Sequence, residues 1–163
     1  MKKNIIIFIL GAVALIVLDQ ITKAAIVAKF FLHESYTVID GFLNLVYVMN
    51  PGAAFGFLAN MSETFRYCFF TGITALVILL IIYYIVKSRS QNMLYIMSLT
   101  LIFSGAVGNL IDRIRFGAVV DFLDFYVRTW HWPAFNVADS SISLGAVLMI
   151  WGMIVQHKKE KAS

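Results

Sequence analysis

The sequence predicts an all-α membrane protein, a bundle of four transmembrane helices carrying a small extracytoplasmic β element and a short surface helix. Three observations predict it. Of 163 residues, 61% are hydrophobic and 13% charged, whereas soluble domains are about 45–50% apolar and about a quarter charged. Four stretches approach the ~20 apolar residues that cross a ~30 Å hydrocarbon core. Basic residues gather at one set of helix ends, as cytoplasmic loops do. With so few charges left over, residues 1–163 are read as a single integral membrane domain.

The first apolar run, Ile5 to Leu18, extends to a span over 5–24 behind Lys2 and Lys3. No small-x-small cleavage pattern follows it, so a retained anchor is expected rather than a signal peptide. Residues 29–66 form a long outer segment. Within it "TVIDGFLNLVYVMN" is β-branched and aromatic, and partly alternates around a Gly turn, which reads as a small β element. "MSETFRY" reads as a short helix start, with Ser62 a cap and Glu63 suited to the first turn.

Spans over 67–86 and 93–111 follow, joined by a short basic loop. A second outer segment, 113–133, carries Tyr126, Trp130 and Trp132, which suit the aromatic belt at lipid headgroups. The last run, Ile142 to Val155, reaches full length only as a span over 137–156, which takes in Asp139.

Charge then sets direction. Four spans put Lys2, Lys3, Lys87, Arg89, Lys158, Lys159 and Lys161 on one side, against Glu160 alone. Both termini are therefore expected in the cytoplasm of a multi-pass protein. Despite a pI near 9.3, no basic cluster interleaves with aromatics, so nucleic acid is not expected as a partner. The single cysteine, Cys68, excludes a disulfide framework. His33, His131 and His157 are scattered without ligand spacing, so neither a metal nor another cofactor is expected.

Polar residues within the spans converge in depth. Measured from the basic ends at about 1.5 Å per residue, Asp19, Asn109 and Asp139 lie roughly 23, 24 and 26 Å up their helices. Ionisable groups at such depth usually face a bundle interior or wet cavity and mark function. Lys23 is four residues from Asp19 and on the same face, as Arg113 is from Asn109. An ion pair explains the first couple; interhelical hydrogen bonding and a snorkelling arginine compete with a functional role for the second.

Asp139 resists such explanations, although Asp139, Ser140 and Ser141 are all helix-cap types. If Asp121 or Asp124 folds back to meet it, two carboxylates share a dehydrated site and their protonation is driven apart. That gives a general base and a general acid for activating water. Spacing leaves open which of Asp121 and Asp124 is the partner. Gly105, Ala106 and Gly108 permit close helix approach. Gly52, Ala53, Ala54 and Gly56, after Pro51, form either an ordinary loop or accessible backbone for an extended peptide. The rival class is a transporter or ion-conducting protein. It would use intramembrane carboxylates near midplane, typically with internal repeats, and no repeat is visible here.

The blocks "LDQITK" (18–23), "NPGAAFGF" (50–57), "GAVGNLIDR" (105–113), "VVDF" (119–122) and "FNVADSSI" (135–142), in that order, resemble the bacterial lipoprotein signal peptidases, or signal peptidase II. Each block is short, but five in register on a four-span chain are specific. Ser104, where many relatives carry glycine, and Pro51 depart from the pattern. The resemblance implies an inner-membrane aspartic endopeptidase that removes signal peptides from prolipoproteins just before a diacylglyceryl-modified cysteine. It implies Asp121 and Asp139 as the catalytic pair, with Asp19, Lys23, Asn50, Gly52, Asn109, Arg113 and Asn136 binding substrate or supporting the pair. It also implies a β-cradle and a short outer helix, an active site near the outer leaflet, membrane lipid as surroundings, and function as a monomer.

Overall fold

The computed structural model describes residues 2–52, 61–87 and 92–162. Residues 53–57 of the "NPGAAFGF" block, including Gly56, and Arg89 of the basic loop lie outside the described residues. Four helices are long and apolar enough to cross a membrane: α1 (Lys2–Lys29), α2 (Glu63–Lys87), α3 (Met93–Phe116) and α4 (Val137–Ala162). Half of the most apolar stretch of α3 is buried, against 11–22% in the other three. The third helix is therefore the axis of the bundle, and α1, α2 and α4 each pack on it.

Small residues set that packing. A side chain on Gly105 would collide with the backbone carbonyl of Ala138, and one on Gly108 with the Asp19 carboxylate. The glycines let α4 close on α3 and make room for a buried acid. Towards the basic ends, Phe8, Ile81, Ile85, Ile96 and Leu99 form a wholly apolar core. Leu10, Leu79, Val86, Val147 and Trp151 are more than half exposed, as lipid-facing side chains should be.

At the opposite ends of the helices lies an antiparallel sheet of β1 (Ser35–Ile39), β2 (Leu43–Asn50), β3 (Val119–Val127) and β4 (Trp130–His131), in that spatial order. The first two strands match the β element expected from alternation. The third was not legible as a strand and was expected only as part of an outer segment. Val119, Val120, Asp121 and Phe122 are all buried, so the two-residue alternation that would mark a half-exposed strand is missing. Phe135 extends the sheet locally: its carbonyl accepts from the amides of Phe122 and Leu123 at 3.1 and 2.8 Å, and its own amide donates to Leu123 at 3.1 Å.

The helices outrun the apolar stretches that announced them. The first helix continues to Lys29, with Ile26 packed against Val120 and Phe122, and the third to Phe116, with buried Asp112 partnered inside the protein. "MSETFRY" is a helix start as expected: Glu63 opens the first turn of α2, and Ser62 Oγ accepts from the Phe65 amide at 3.2 Å. Trp130 and Trp132 are 60% and 47% exposed, fitting the belt expected of them.

Candidate active site

Asp19, Lys23, Asn50, Asn109, Asp121, Asn136 and Asp139 reach one connected region where the helices meet the sheet. It begins on the first helix, where one helical turn aligns Asp19 and Lys23. Lys23 Nζ lies 2.9 Å from Asp19 and 2.9 Å from Asp112, and donates to Asn109 Oδ1 at 3.0 Å. Those contacts engage all three ammonium protons. Asp19 also accepts from the Ala138 amide at 2.9 Å, which ties α1 to the first turn of α4. Asp112 accepts from the Val120 amide at 3.1 Å and from Gln20 at 3.0 Å, which ties α3 to β3 and α1.

Asn109 passes the network on, its Nδ2 donating to Asp139 Oδ1 at 2.8 Å. The fourth helix starts with a reciprocal cap. Asn136 Oδ1 accepts from the Asp139 amide at 2.9 Å, while Asp139 Oδ2 accepts from the Asn136 amide at 3.3 Å. Asn136, rather than the residues suspected from sequence, thus occupies the cap position. Ser140 and Ser141 hydroxyls turn back to the carbonyls of Asn136 and Val137.

Asn136 is also the bridge between the acids. Its Nδ2 donates to Asp121 Oδ1 at 2.7 Å, while its other contacts fix Asp139. Asn50, the last residue of β2, donates to Asp121 Oδ2 at 2.9 Å and accepts from the Gly52 amide at 2.8 Å. Gly52 makes this small turn with φ of 104°, a left-handed conformation that favours glycine. Asp121 is buried, and burial together with the neighbouring charge of Asp139 pushes its carboxyl up to about 7, against the opposing pull of Asn50 and Asn136.

The structure therefore brings Asp121 and Asp139 together around Asn136 and leaves Asp124 elsewhere. Asp124 accepts from Asn44 at 2.9 Å and pairs with His131 Nδ1 at 2.9 Å on the outer part of the sheet. Arg113 stands on the α2 side, where its charge acts on Asp139 and Asp121. A cavity of about 380 Å³ opens beside the pair, with Asn50 and Trp132 on its walls and Asp139, Ser140 and Ser143 along α4. A larger one of about 520 Å³ lies further down α2, α3 and α4, is lined by Leu80, Leu99 and Met153, and carries no acid. Among the described residues, no group of three His, Cys, Asp or Glu side chains is placed to hold a metal.

Sequence reasoning missed Asp112 and Gln20. A signal for the first was present: Gly105, Asn109 and Asp112 follow the i, i+4, i+7 spacing of one helix face. Asp112 is 1% exposed, so it belongs to the network as fully as Asp19 does. Gln20 donates to Asp19, to Asp112 and to the Gly108 carbonyl.

The family described as Signal peptidase (SPase) II matches residues 11–155. A lipoprotein signal peptidase of Syntrophus aciditrophicus is 49% identical over 99% of this chain and 100% of its own length. One from Desulforapulum autotrophicum is 50% identical over 86% of each chain. A bacterial membrane enzyme solved by the in meso method at 2.3 Å resolution superposes with a TM-score of 0.84 at 35% identity, covering 96% of this chain and 92% of that one. The chain belongs to the signal peptidase II family, multi-pass bacterial membrane proteases that process prolipoproteins.

Proposed function

We propose that this protease is of the aspartic type and cuts prolipoproteins immediately before the diacylglyceryl-modified cysteine, with Asp121 and Asp139 as the reacting pair. One observation carries the reading. Two carboxylates meet in a mostly buried site, held by the neutral amides of Asn50, Asn109 and Asn136 rather than by a cation in contact. Such a pair retains one proton between its members near neutrality. We assign the acid's part to Asp121, whose carboxyl burial pushes up to about 7, and the base's part to Asp139.

Asp139 takes a proton from water as the water oxygen bonds to the scissile carbonyl carbon, and Asp121 gives its proton to the carbonyl oxygen. Collapse of the resulting diol breaks the C–N bond. Asp139 passes its proton to the leaving nitrogen while Asp121 recovers one from a hydroxyl, restoring the starting state. Asp19, Lys23, Asn109 and Asn136 hold the pair in place; Asn50, Gly52 and Arg113 face the substrate. The termini lie in the cytoplasm, the site lies near the outer leaflet, and one chain suffices. The test is cleavage of a diacylglyceryl-modified precursor peptide by purified protein. Asp121→Asn and Asp139→Asn should each reduce turnover about 10⁴-fold while the protein stays folded. Cleavage surviving in either variant overturns that residue's assignment.

A further inference from the structure

Beneath the turn that carries Asn50 lies a residue with no assigned part. Phe70, on the inward face of α2, touches two arms that lead to the acids. Its ring fills the space where Gly52 would carry a side chain, so a Cβ there would collide with three ring carbons. Gly52 in turn donates its amide to Asn50, and Asn50 donates to Asp121. The second arm is Arg113, whose guanidinium lies over the same ring at 5.8 Å and reaches Thr74 Oγ1 at 3.4 Å. Arg113 is in electrostatic range of Asp139 and Asp121 from the α2 side, as Lys23 is from α1. The ring is itself braced edge-on by Phe69 at 5.4 Å.

We infer that Phe70 is a positioning residue for the reaction, one ring that sets both the Asn50 turn against Asp121 and the Arg113 guanidinium beside the pair. The inference rests on reading Asp121 and Asp139 as the reacting groups. Its physical content is geometric. The ring's flat face lets the glycine backbone approach, and the same π system holds a guanidinium. An aliphatic side chain of similar bulk preserves the apolar contact with the bundle but offers neither the flat face nor the quadrupole.

Phe70→Leu, Asn50→Ala and the double variant separate positioning from packing, assayed on the same precursor peptide across pH. Misplacing one arm should lower kcat about tenfold in Phe70→Leu with KM within about twofold. Loss of the Asn50 bond removes a stabiliser of ionised Asp121, so its carboxyl rises further and the alkaline limb of kcat moves to higher pH. Phe70→Leu should move that limb in the same direction as Asn50→Ala. The double variant should lose little more than the worse single one, since both act through one bond. A kcat within twofold of the parent, an unmoved alkaline limb, or losses that simply multiply would each overturn the inference. Residual cleavage by Asp121→Asn is a separate outcome that sinks the acid–base reading instead, whatever Phe70→Leu does.

Discussion

Two pairs of aspartates occupy one polar region, and they are held in opposite ways. Asp19 and Asp112 share Lys23, each 2.9 Å from its ammonium. Asp121 and Asp139 share Asn136, a neutral amide. In the first pair one cation contacts both carboxylates, and all its donors are engaged. In the second, amide donors satisfy oxygen lone pairs without supplying charge, so the two acids compete for one proton. Burial alone does not make a carboxylate reactive. What distinguishes the pairs is whether the partner is a cation or an amide.

Lys23 is the place to break this contrast most severely. Lys23→Met leaves two buried carboxylates without their cation, which should destabilise the protein by about 3–5 kcal/mol. Thermal unfolding in detergent would show it as a large drop in midpoint. Neutralising the acids as well, in Lys23→Met with Asp19→Asn and Asp112→Asn, should restore most of that loss. Neutralising Asp121 or Asp139 should instead abolish turnover and leave the midpoint near that of the parent. If the triple variant were as unstable as Lys23→Met, the lysine cluster would be holding the fold by something other than charge balance.

The contrast also explains what the sequence disclosed. Lipid demands long apolar helices, so all four spans were visible as hydropathy, and depth counting brought Asp19, Asn109 and Asp139 to one level before any contact was known. In the structure these residues do join one network, through Asn109 to Asp139 and through Lys23 to Asp19. The third strand stayed hidden because sheet, helices and Phe135 bury its first residues on both sides, erasing alternation. Asp112 stayed hidden because it sits just beyond the apolar run, where the helix was expected to stop at 111. Pairing spacing could not choose between Asp121 and Asp124, since both lie on one strand. The choice depends on which partner each meets across the fold: Asn136 for one, His131 for the other.

A finer test leaves the acids in place and alters only an amide. Asn136→Ala removes a donor to Asp121, a donor to the Val120 carbonyl and the acceptor that caps α4. Loss of the cap costs about 1 kcal/mol, and turnover should fall about 100-fold as both acids lose their common reference. Asn136→Ser, which keeps a cap acceptor but loses the amide donor to Asp121, should recover most of the midpoint and not the turnover. Recovery of both would mean that Asn136 acts only as a cap.

The smallest effect is expected at Asp124, three residues from Asp121 on the same strand. Its carboxylate is mostly buried but meets a half-exposed His131, whose ring stacks on Tyr126 at 5.1 Å, and it makes no contact with Asn136 or Asp139. Asp124→Asn keeps an oxygen to accept from either Asn44 or His131 and removes only the charge. With His131 half exposed, the pair contributes roughly 0–1 kcal/mol, so the unfolding midpoint should move little and turnover should stay within about threefold of the parent. A loss approaching that of Asp121→Asn would mean that the two aspartates of β3 are energetically coupled through the strand. The division between amide-held and cation-held acids would then fail to predict which carboxylates react.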